Sequence, residues 1–466
     1  MEFQSALNSM LEAGVPAAIR QFGSALNSVW IDDALRETGT ATVRVRRLPA
    51  RSVVWLVIAM ALFRDCAIRT VISQLGLALP SRKGTPGTSS RTVAGSAVAQ
   101  SRGRLGDEPM RVIFERCAET WAEPAADADR WRDLALYGMD GSTLNVADTV
   151  ENEEGFGRPG SSRGESGYPQ LRLVVLMALR SHLLRAAAIG RYKGKETSEQ
   201  MLARQLWPHV PEQSLTILDK GFLNYGAFYQ LHHDEGGVAG TRHWLTRAKS
   251  NLKWKVLEVL GDGDELVEVK ISAEARKKHP GLPKAMRVRV ITYQVDGWPV
   301  RRLLTSLLDA ERYPAAEVAA LYHERWEVEL GYGELKTHML ERKESLRSKK
   351  PAGVRQEVWG ILTAYNLVRL KMMEAAREAG VAPTRISFKN SLHLIRVFAE
   401  VNAWVAPAGT MPTQLQMLLE MLAVLVLPER RPARRYPRHV KIKMSGYKRN
   451  PGRRKTAGNL TGDKLK

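Results

Sequence analysis

Four polar side chains between Tyr322 and Lys336 have the chemistry expected beside a bound phosphate. Tyr322, Arg325, Glu329 and Lys336 supply a phenol, a guanidinium, a carboxylate and an ammonium group. At ~100° per residue of an α-helix, all four fall on one face ~60° wide. Apolar residues of the same segment fall on a second face that can be buried. A single carboxylate among positively charged groups indicates a metal ligand. The alternative is that the four side chains form a solvated charged face.

The spacing Tyr322-x2-Arg325-x3-Glu329-x6-Lys336 resembles the YREK signature of the insertion sequence 4 family of bacterial DDE transposases. Four residue types at three fixed spacings make this a specific pattern. Segments DGST at residues 140–143, DKGF at 219–222 and LRSKKP at 346–351 are similar to the same family. The resemblance implies a ribonuclease-H-like catalytic fold and a transposase activity.

The resemblance makes Asp140, Asp219 and Glu329 the three catalytic carboxylates. Cleaving and joining DNA needs an activated attacking oxygen and a stabilised leaving oxygen, which two Mg²⁺ or Mn²⁺ ions ~3.5 to 4 Å apart provide. Such hard cations take oxygen ligands. We expect Asp140 to bridge both ions, and Asp219 and Glu329 to hold one each. Without metal the carboxylates should repel one another, and at least one should take up a proton.

The same resemblance assigns DNA contacts to Tyr322, Arg325 and Lys336, which hold the strand end near the metal ions. Arginine offers a bidentate fork to phosphate, lysine a point charge and tyrosine a hydroxyl donor. Trp298 is a candidate for stacking on a base that is flipped out of the duplex end, and burial is the alternative for this side chain.

The chain carries a net charge of +21 over 466 residues, which suits a polyanionic partner. Residues 429–466 hold 14 Lys or Arg against one Glu and one Asp, a net of +12. This segment has few apolar residues, so we expect a basic tail that is disordered until it meets DNA. Arg434 and Arg435 are its expected contacts. Double-stranded DNA is the leading partner, and an anionic membrane surface is the second.

Other features exclude several classes of protein. The longest apolar run, residues 53–63, is much shorter than the ~20 residues of a membrane span, so it predicts a core helix. The opening MEFQSALNSM has no basic region followed by an apolar stretch, so we do not expect export. Cys66 and Cys117 are too few for a disulfide framework. We expect a cytoplasmic protein. The glycine-rich loop at 190–196 does not match a phosphate loop, so no nucleotide cofactor is expected.

Residues 1–130 are expected to form a helical N-terminal domain that binds the DNA end. Two short helices precede a basic one that contains Gln100, Arg102 and Arg104. This order is compatible with a helix-turn-helix whose last helix enters the major groove, where Gln and Arg can pair with base edges. An ordinary basic linker and helix is the alternative.

Residues 131–375 are expected to form the α/β catalytic domain. An apolar run at 134–139 ends at Asp140 before a Gly-Ser-Thr turn, and a second run at 215–218 ends at Asp219. Both aspartates therefore fall at the C-terminal ends of predicted strands, where open sheets bind ligands.

Further along the chain, alternating residues predict a β-rich insertion over about 243–304. A single helix over 315–341 is expected to carry the YREK residues, although Gly331 and Gly333 each cost ~1 kcal/mol there relative to alanine. Tertiary contacts must hold this helix, or it bends. A helical C-terminal region over 376–428 is expected to precede the tail.

We therefore expect a transposase that binds the ends of an insertion sequence, exposes 3′-hydroxyls by two-metal hydrolysis and transfers them to target DNA. Two ends must be brought together, so a homodimer in the DNA complex is expected. A non-catalytic DNA-binding descendant and a metal-dependent nuclease without joining activity are the alternatives. DNA cleavage and joining assays distinguish the three.

Overall fold

The computed structural model describes residues 25–41, 48–75, 77, 93–161, 164–194, 197–233, 240–279, 281–295, 299–341, 345–405 and 411–429. Trp298, Arg434 and Arg435 lie outside these ranges.

A nine-stranded mixed sheet is the centre of the described part of the chain. Its order is β3-β2-β1-β4-β5-β9-β8-β7-β6. The strands are β1 Ala135–Asn145, β2 Gln170–Ala178, β3 Leu184–Arg191, β4 Ser214–Leu218, β5 Arg242–Arg247, β6 Lys255–Gly261, β7 Asp264–Lys270, β8 Ala285–Tyr293 and β9 Arg301–Thr305. A two-residue ladder between Gly160–Ser161 and Gly164–Glu165 lies apart from this sheet.

Strand directions divide the sheet into two parts. β1, β2 and β3 pair antiparallel, while β1, β4 and β5 are parallel neighbours. β9, β8, β7 and β6 then extend the sheet from β5 in antiparallel fashion. The predicted β-rich segment is therefore present, and it continues the same sheet.

β1 differs from the prediction at the Gly-Ser-Thr sequence. The strand runs unbroken from Ala135 to Asn145, so Asp140 lies within it and the predicted turn is wrong. The reason is the pairing with β2, which provides ladder partners from Tyr137 through Asn145. A strand with a continuous neighbour keeps its backbone hydrogen bonds, whereas a turn would lose them.

Helices cover both faces of the sheet. They are α1 Ser28–Glu37, α2 Ala50–Leu62, α3 Ile68–Gln74, α4 Gly95–Leu105, α5 Glu108–Asp127, α6 Val150–Phe156, α7 Glu199–Leu206, α8 Tyr225–His232, α9 Ala273–Lys278, α10 Ala315–Leu321, α11 Trp326–Gly333, α12 Pro351–Ala379, α13 Phe388–Val405 and α14 Met411–Ala423.

α12 is the buried axis of the helical layer. α2, α5 and α14 pack against it, and these helices share one hydrophobic core with one face of the sheet. The chain changes from helices to strands near residue 130, but the residues before and after this point pack together in that one core. α7 and α8 cover the opposite face. α2 is buried along nearly its whole length, which confirms the predicted core helix. Among the described residues, no helix is long and apolar enough to cross a membrane.

The segment predicted as one helix over 315–341 consists of four pieces. α10 ends at Leu321, a 3₁₀ turn covers Tyr322–Arg325, α11 follows, and a π-helical turn covers Glu334–Met339. The π turn is closed by Leu340 N donating to Leu335 O at 2.9 Å. Short 3₁₀ and π turns are common at functional sites and at the ends of α-helices.

Candidate active site

Asp140 of β1 and Asp219, the residue after β4, occupy neighbouring positions beside two parallel strands. The β1–β4 ladder ends with Met139 opposite Leu218, so each aspartate is the next residue after the last pair. Side chains alternate along a strand. Met139 and Leu218 both contribute to the core on the α7 side, so the aspartates point to the other face, where α11 lies.

Two glycines let α11 approach this face closely. A Cβ on Gly138 of β1 would lie 2.4 Å from Val328 Cγ2, and a Cβ on Gly331 would lie 2.3 Å from Met177 Cε. The Tyr332 hydroxyl donates to Asp140 O at 3.0 Å and contacts Leu173 O at 3.3 Å. α11, which carries Glu329, is therefore fixed directly above β1.

Asp140 is a half-buried carboxyl whose pKa is raised by its surroundings. Burial raises its pKa to about 6, and the nearby carboxylates of Glu199 and Glu329 add to the rise. A hydrogen bond from Gly141 N to Oδ1 (2.8 Å) and the positive charge of Arg325 oppose it. A carboxyl that is buried beside other carboxylates is expected to hold a proton more tightly.

The YREK residues pair with groups of the site. Arg325 Nη2 lies 2.9 Å from Glu329 Oε1, and Lys336 Nζ donates to Ser142 Oγ at 2.9 Å. Burial lowers the pKa of Lys336. Burial also raises the pKa of Tyr322 to about 12, so its hydroxyl remains a hydrogen-bond donor at neutral pH.

The donor set fits a hard divalent cation in chemistry, because Asp140, Asp219 and Glu329 offer only carboxylate oxygens. Within the described ranges, however, no three His, Cys, Asp or Glu side chains form a group that could hold a metal ion. Glu329 is turned toward Arg325, and Asp219 Oδ2 accepts from Gly221 N at 3.3 Å.

A cleft of about 360 Å³ opens beside Asp219 and contains residues that the sequence analysis missed. Arg247 comes from β5, Arg301 from β9 and Tyr293 from β8, and they line the cleft together with Tyr322 and Arg325. Neither Arg247 nor Arg301 forms an ion pair with a carboxylate among the residues that the structure describes. In the sequence, the only sign of Arg247 and Arg301 as binding residues is a positive charge on a strand that is otherwise buried.

The predicted groove-reading residues of α4 have different surroundings. Gln100 and Arg104 are exposed. Arg102 is directed inward instead: its Nε donates to Gln356 Oε1 at 2.8 Å and its Nη2 to Ser348 Oγ at 3.0 Å. This guanidinium joins α4 to α12, which disfavours its predicted contact with a base.

Comparisons with known proteins define the class. A family profile described as "Transposase DDE domain" matches residues 135–367, which contain the sheet, the cleft and all four YREK residues. A second, described as "Insertion element 4 transposase N-terminal", matches residues 16–115. The chain is thus a DDE transposase.

Individual relatives narrow the class to one family of transposases. Transposase InsG for insertion sequence element IS4 of Escherichia coli (strain K12) is 37% identical over 93% of this chain and 94% of its own length. The putative transposase InsZ of the same strain is 31% identical over 52% of this chain and 76% of its own length. The chain belongs to the insertion sequence 4 family of transposases. A cryo-EM structure of the piggyBac transposase synaptic complex with hairpin DNA aligns with a TM-score of 0.43 at 12% identity over 89% of this chain and 86% of that chain, a similarity too low for inference.

Proposed function

We propose that this transposase binds the double-stranded ends of an insertion sequence, cleaves them to expose 3′-hydroxyls and transfers those ends to target DNA. One observation carries the proposal: Asp140 and Asp219 follow the last pair of the parallel β1–β4 ladder, and the glycine contacts of α11 hold Glu329 above the same face. The order β3-β2-β1-β4-β5 with its strand directions supports a ribonuclease-H-like core.

Two Mg²⁺ or Mn²⁺ ions would be held by Asp140, Asp219 and Glu329, and when bound they supply an activated nucleophile and stabilise the leaving oxygen. The chain's own groups orient the substrate. Arg325 can grip a phosphate with two parallel N–H bonds, and Lys336 holds a positive charge beside Ser142 and β1. The raised pKa of Asp140 means that metal binding must displace a proton from this carboxyl at mildly acidic pH.

The cleft supports a path for the DNA strand toward Asp219. Arg247 and Arg301 on the sheet and Arg325 on the 3₁₀ turn place three guanidinium groups around one opening, and Tyr293 and Tyr322 line it with aromatic surface. Guanidinium groups bind phosphates, and aromatic rings offer stacking surfaces to bases.

Several predicted DNA contacts stay within the proposal. Gln100 and Arg104 are exposed on α4 and available to DNA, whereas Trp298, Arg434 and Arg435 fall outside the described residues. We also propose a homodimer in the DNA complex, because transposition brings two ends together.

The experiment combines purified protein, Mg²⁺ and labelled linear DNA that carries the sequences flanking the coding region. Joined products are expected from wild type. Glu329→Gln should lose strand cleavage and keep DNA binding, because the amide removes a carboxylate ligand but no cation. Glu324→Gln is the matched control, since Glu324 pairs with Arg180 outside the YREK face and should leave cleavage intact.

The other outcomes identify the alternatives. DNA binding without cleavage by wild type would indicate a non-catalytic binding protein. Cleavage that ignores sequence and yields no joined product would indicate a nuclease. Wild-type cleavage by Glu329→Gln would refute the assignment of this carboxylate.

A further inference from the structure

A buried polar cluster lies behind α11, on the side away from the cleft. We call it the anchor cluster: His182, Glu327, Glu334, Tyr365 and Arg369. His182, in the turn between β2 and β3, contacts Glu327 Oε2 through Nε2 at 2.9 Å. Arg369 of α12 binds Glu334 through Nε at 3.0 Å and through Nη2, and the Tyr365 hydroxyl donates to Glu334 Oε2 at 2.9 Å. The cluster joins the turn between β2 and β3, α11, the π turn and α12.

The hydrogen bonds around His182 are consistent with one neutral tautomer. Arg369 Nη2 lies 2.5 Å from Nδ1, and because guanidinium can only donate, Nδ1 must accept. Nε2 then carries the hydrogen and donates to Glu327. His182 itself has a positive φ of 60°, an uncommon conformation for a residue other than glycine. The turn therefore holds the ring in a defined orientation.

The anchor cluster and the YREK residues lie on opposite flanks of the same helix. At ~100° per residue, Glu327 and Glu334 fall within ~20° of each other, and Glu329 lies ~140 to 160° from both. Val328 and Tyr332 fall between the two flanks, where they are buried against the sheet. A helix that packs through one face can still roll about its axis. Bonds on one flank prevent that rolling and so set the direction of the other flank.

The cluster is not built for stability alone. Arg369 is 1% exposed, and its Nη1 has no hydrogen-bond partner among the described residues. Burial would raise the pKa of Glu334, yet the positive charge of Arg369 outweighs it and lowers that pKa to about 2. Buried ion pairs often give no net stabilisation compared with apolar packing. A fixed geometry is the property that such a pair provides better than apolar side chains.

We infer that the anchor cluster is a set of positioning residues: it fixes the rotation of α11 and the start of the π turn, so that Glu329 lies over the face of β1 that carries Asp140, and Lys336 reaches Ser142. The inference rests on the proposed role of Glu329 as a metal ligand. None of the five residues touches the reacting atoms. Their effect on the reaction passes entirely through the orientation of α11.

The test compares two matched variants of the full chain. Arg369→Lys replaces the fork on Glu334 with a point charge. Arg289→Lys does the same to a buried bidentate pair with Asp264 (Nε to Oδ1 2.7 Å), which joins β8 to β7 rather than to α11. Both should lower the thermal midpoint. If the Arg369 pair is only structural, the two variants should behave alike in every other respect. If it positions α11, only Arg369→Lys should also alter the exchange of α11 and the binding of Mn²⁺.

Amide hydrogen exchange of the metal-free protein is the first readout. Arg369→Lys should speed exchange over residues 326–339 by about tenfold, and Arg289→Lys should leave this segment unchanged. Mn²⁺ titration is the second: Arg369→Lys should weaken binding by about tenfold, and Arg289→Lys should not. If Arg369→Lys does not fold, Tyr365→Phe removes only the hydroxyl bond to Glu334 and should change exchange in the same direction.

Two results overturn the inference: exchange over 326–339 that matches wild type in Arg369→Lys, or equal acceleration there by Arg289→Lys. A wild type that binds no Mn²⁺ refutes the metal-dependent function instead. In that case the exchange comparison alone still decides whether the cluster sets the orientation of α11.

Discussion

Asp140→Asn should stabilise the metal-free protein, although it removes a proposed catalytic residue. Burial raises the pKa of Asp140 from an ordinary value of 3.8 to about 6. Each pKa unit corresponds to about 1.4 kcal/mol, so the ionised carboxylate costs the fold about 3 kcal/mol above pH 6. An asparagine has no charge to desolvate, and its side-chain oxygen can still accept from Gly141 N.

The sign of the pH dependence is opposite to that of a salt-bridged carboxylate. Because the folded pKa is the higher one, the native protein takes up the proton first as pH falls, and the penalty disappears between pH 6 and 4. Relative to wild type, Asp140→Asn should gain about 3 kcal/mol in the free energy of unfolding at pH 7.5 and about half of that near pH 5. For a chain of this length, 3 kcal/mol corresponds to an increase of about 3 °C in the thermal midpoint.

Thermal melts in EDTA at both pH values measure this gain, and Asp262→Asn at the exposed turn between β6 and β7 is the control, with no gain expected. Added Mn²⁺ should raise the thermal midpoint of wild type. The rise should be much smaller for Asp140→Asn, since bound metal stabilises only a state that can ligate it. A variant that is no more stable than wild type at pH 7.5, or a gain that is equal at pH 5, would refute the reasoning.

Other predictions concern packing, DNA and acid stability. Gly360→Ala should lower the thermal midpoint, because its Cβ would lie 2.9 Å from a backbone oxygen of α2, and overpacking costs about 1 to 3 kcal/mol; Gly103→Ala, with nothing within 4 Å, should raise it slightly. Removing Arg247 or Arg301 should each reduce the slope of log affinity against log salt by about 0.7 to 0.9 in DNA-binding titrations, and an unchanged slope would place them away from phosphate. Burial lowers the pKa of His243 to about 4, so stability should fall as pH drops from 6.5 towards 4, and His243→Gln should flatten that loss in melts.

The sequence allowed the strands around the site to be predicted where the pattern was local. The apolar run at 215–218 lies in β4, and most of the run at 134–139 lies in β1. The error at residues 141–143 arose because Gly-Ser-Thr has the composition of a turn, whereas β2 supplies a long-range ladder that no local pattern contains. The cleft arginines were missed for the same reason, since β5 and β9 are distant in sequence.

The YREK spacing predicted a common face even though the segment is not a uniform α-helix. In the 3₁₀ turn, at about three residues per turn, Arg325 lies directly above Tyr322, three positions earlier. Arg325 and Glu329 are four apart in α-helical geometry, and their side chains meet at 2.9 Å. The last interval of seven residues spans about two turns and enters the π turn, and Lys336 still reaches Ser142 on β1. Each interval therefore suits the local helix type that contains it. Because the spacings of three, four and seven tolerate either geometry, the pattern remains readable from the sequence, although it does not specify the helix type of each interval.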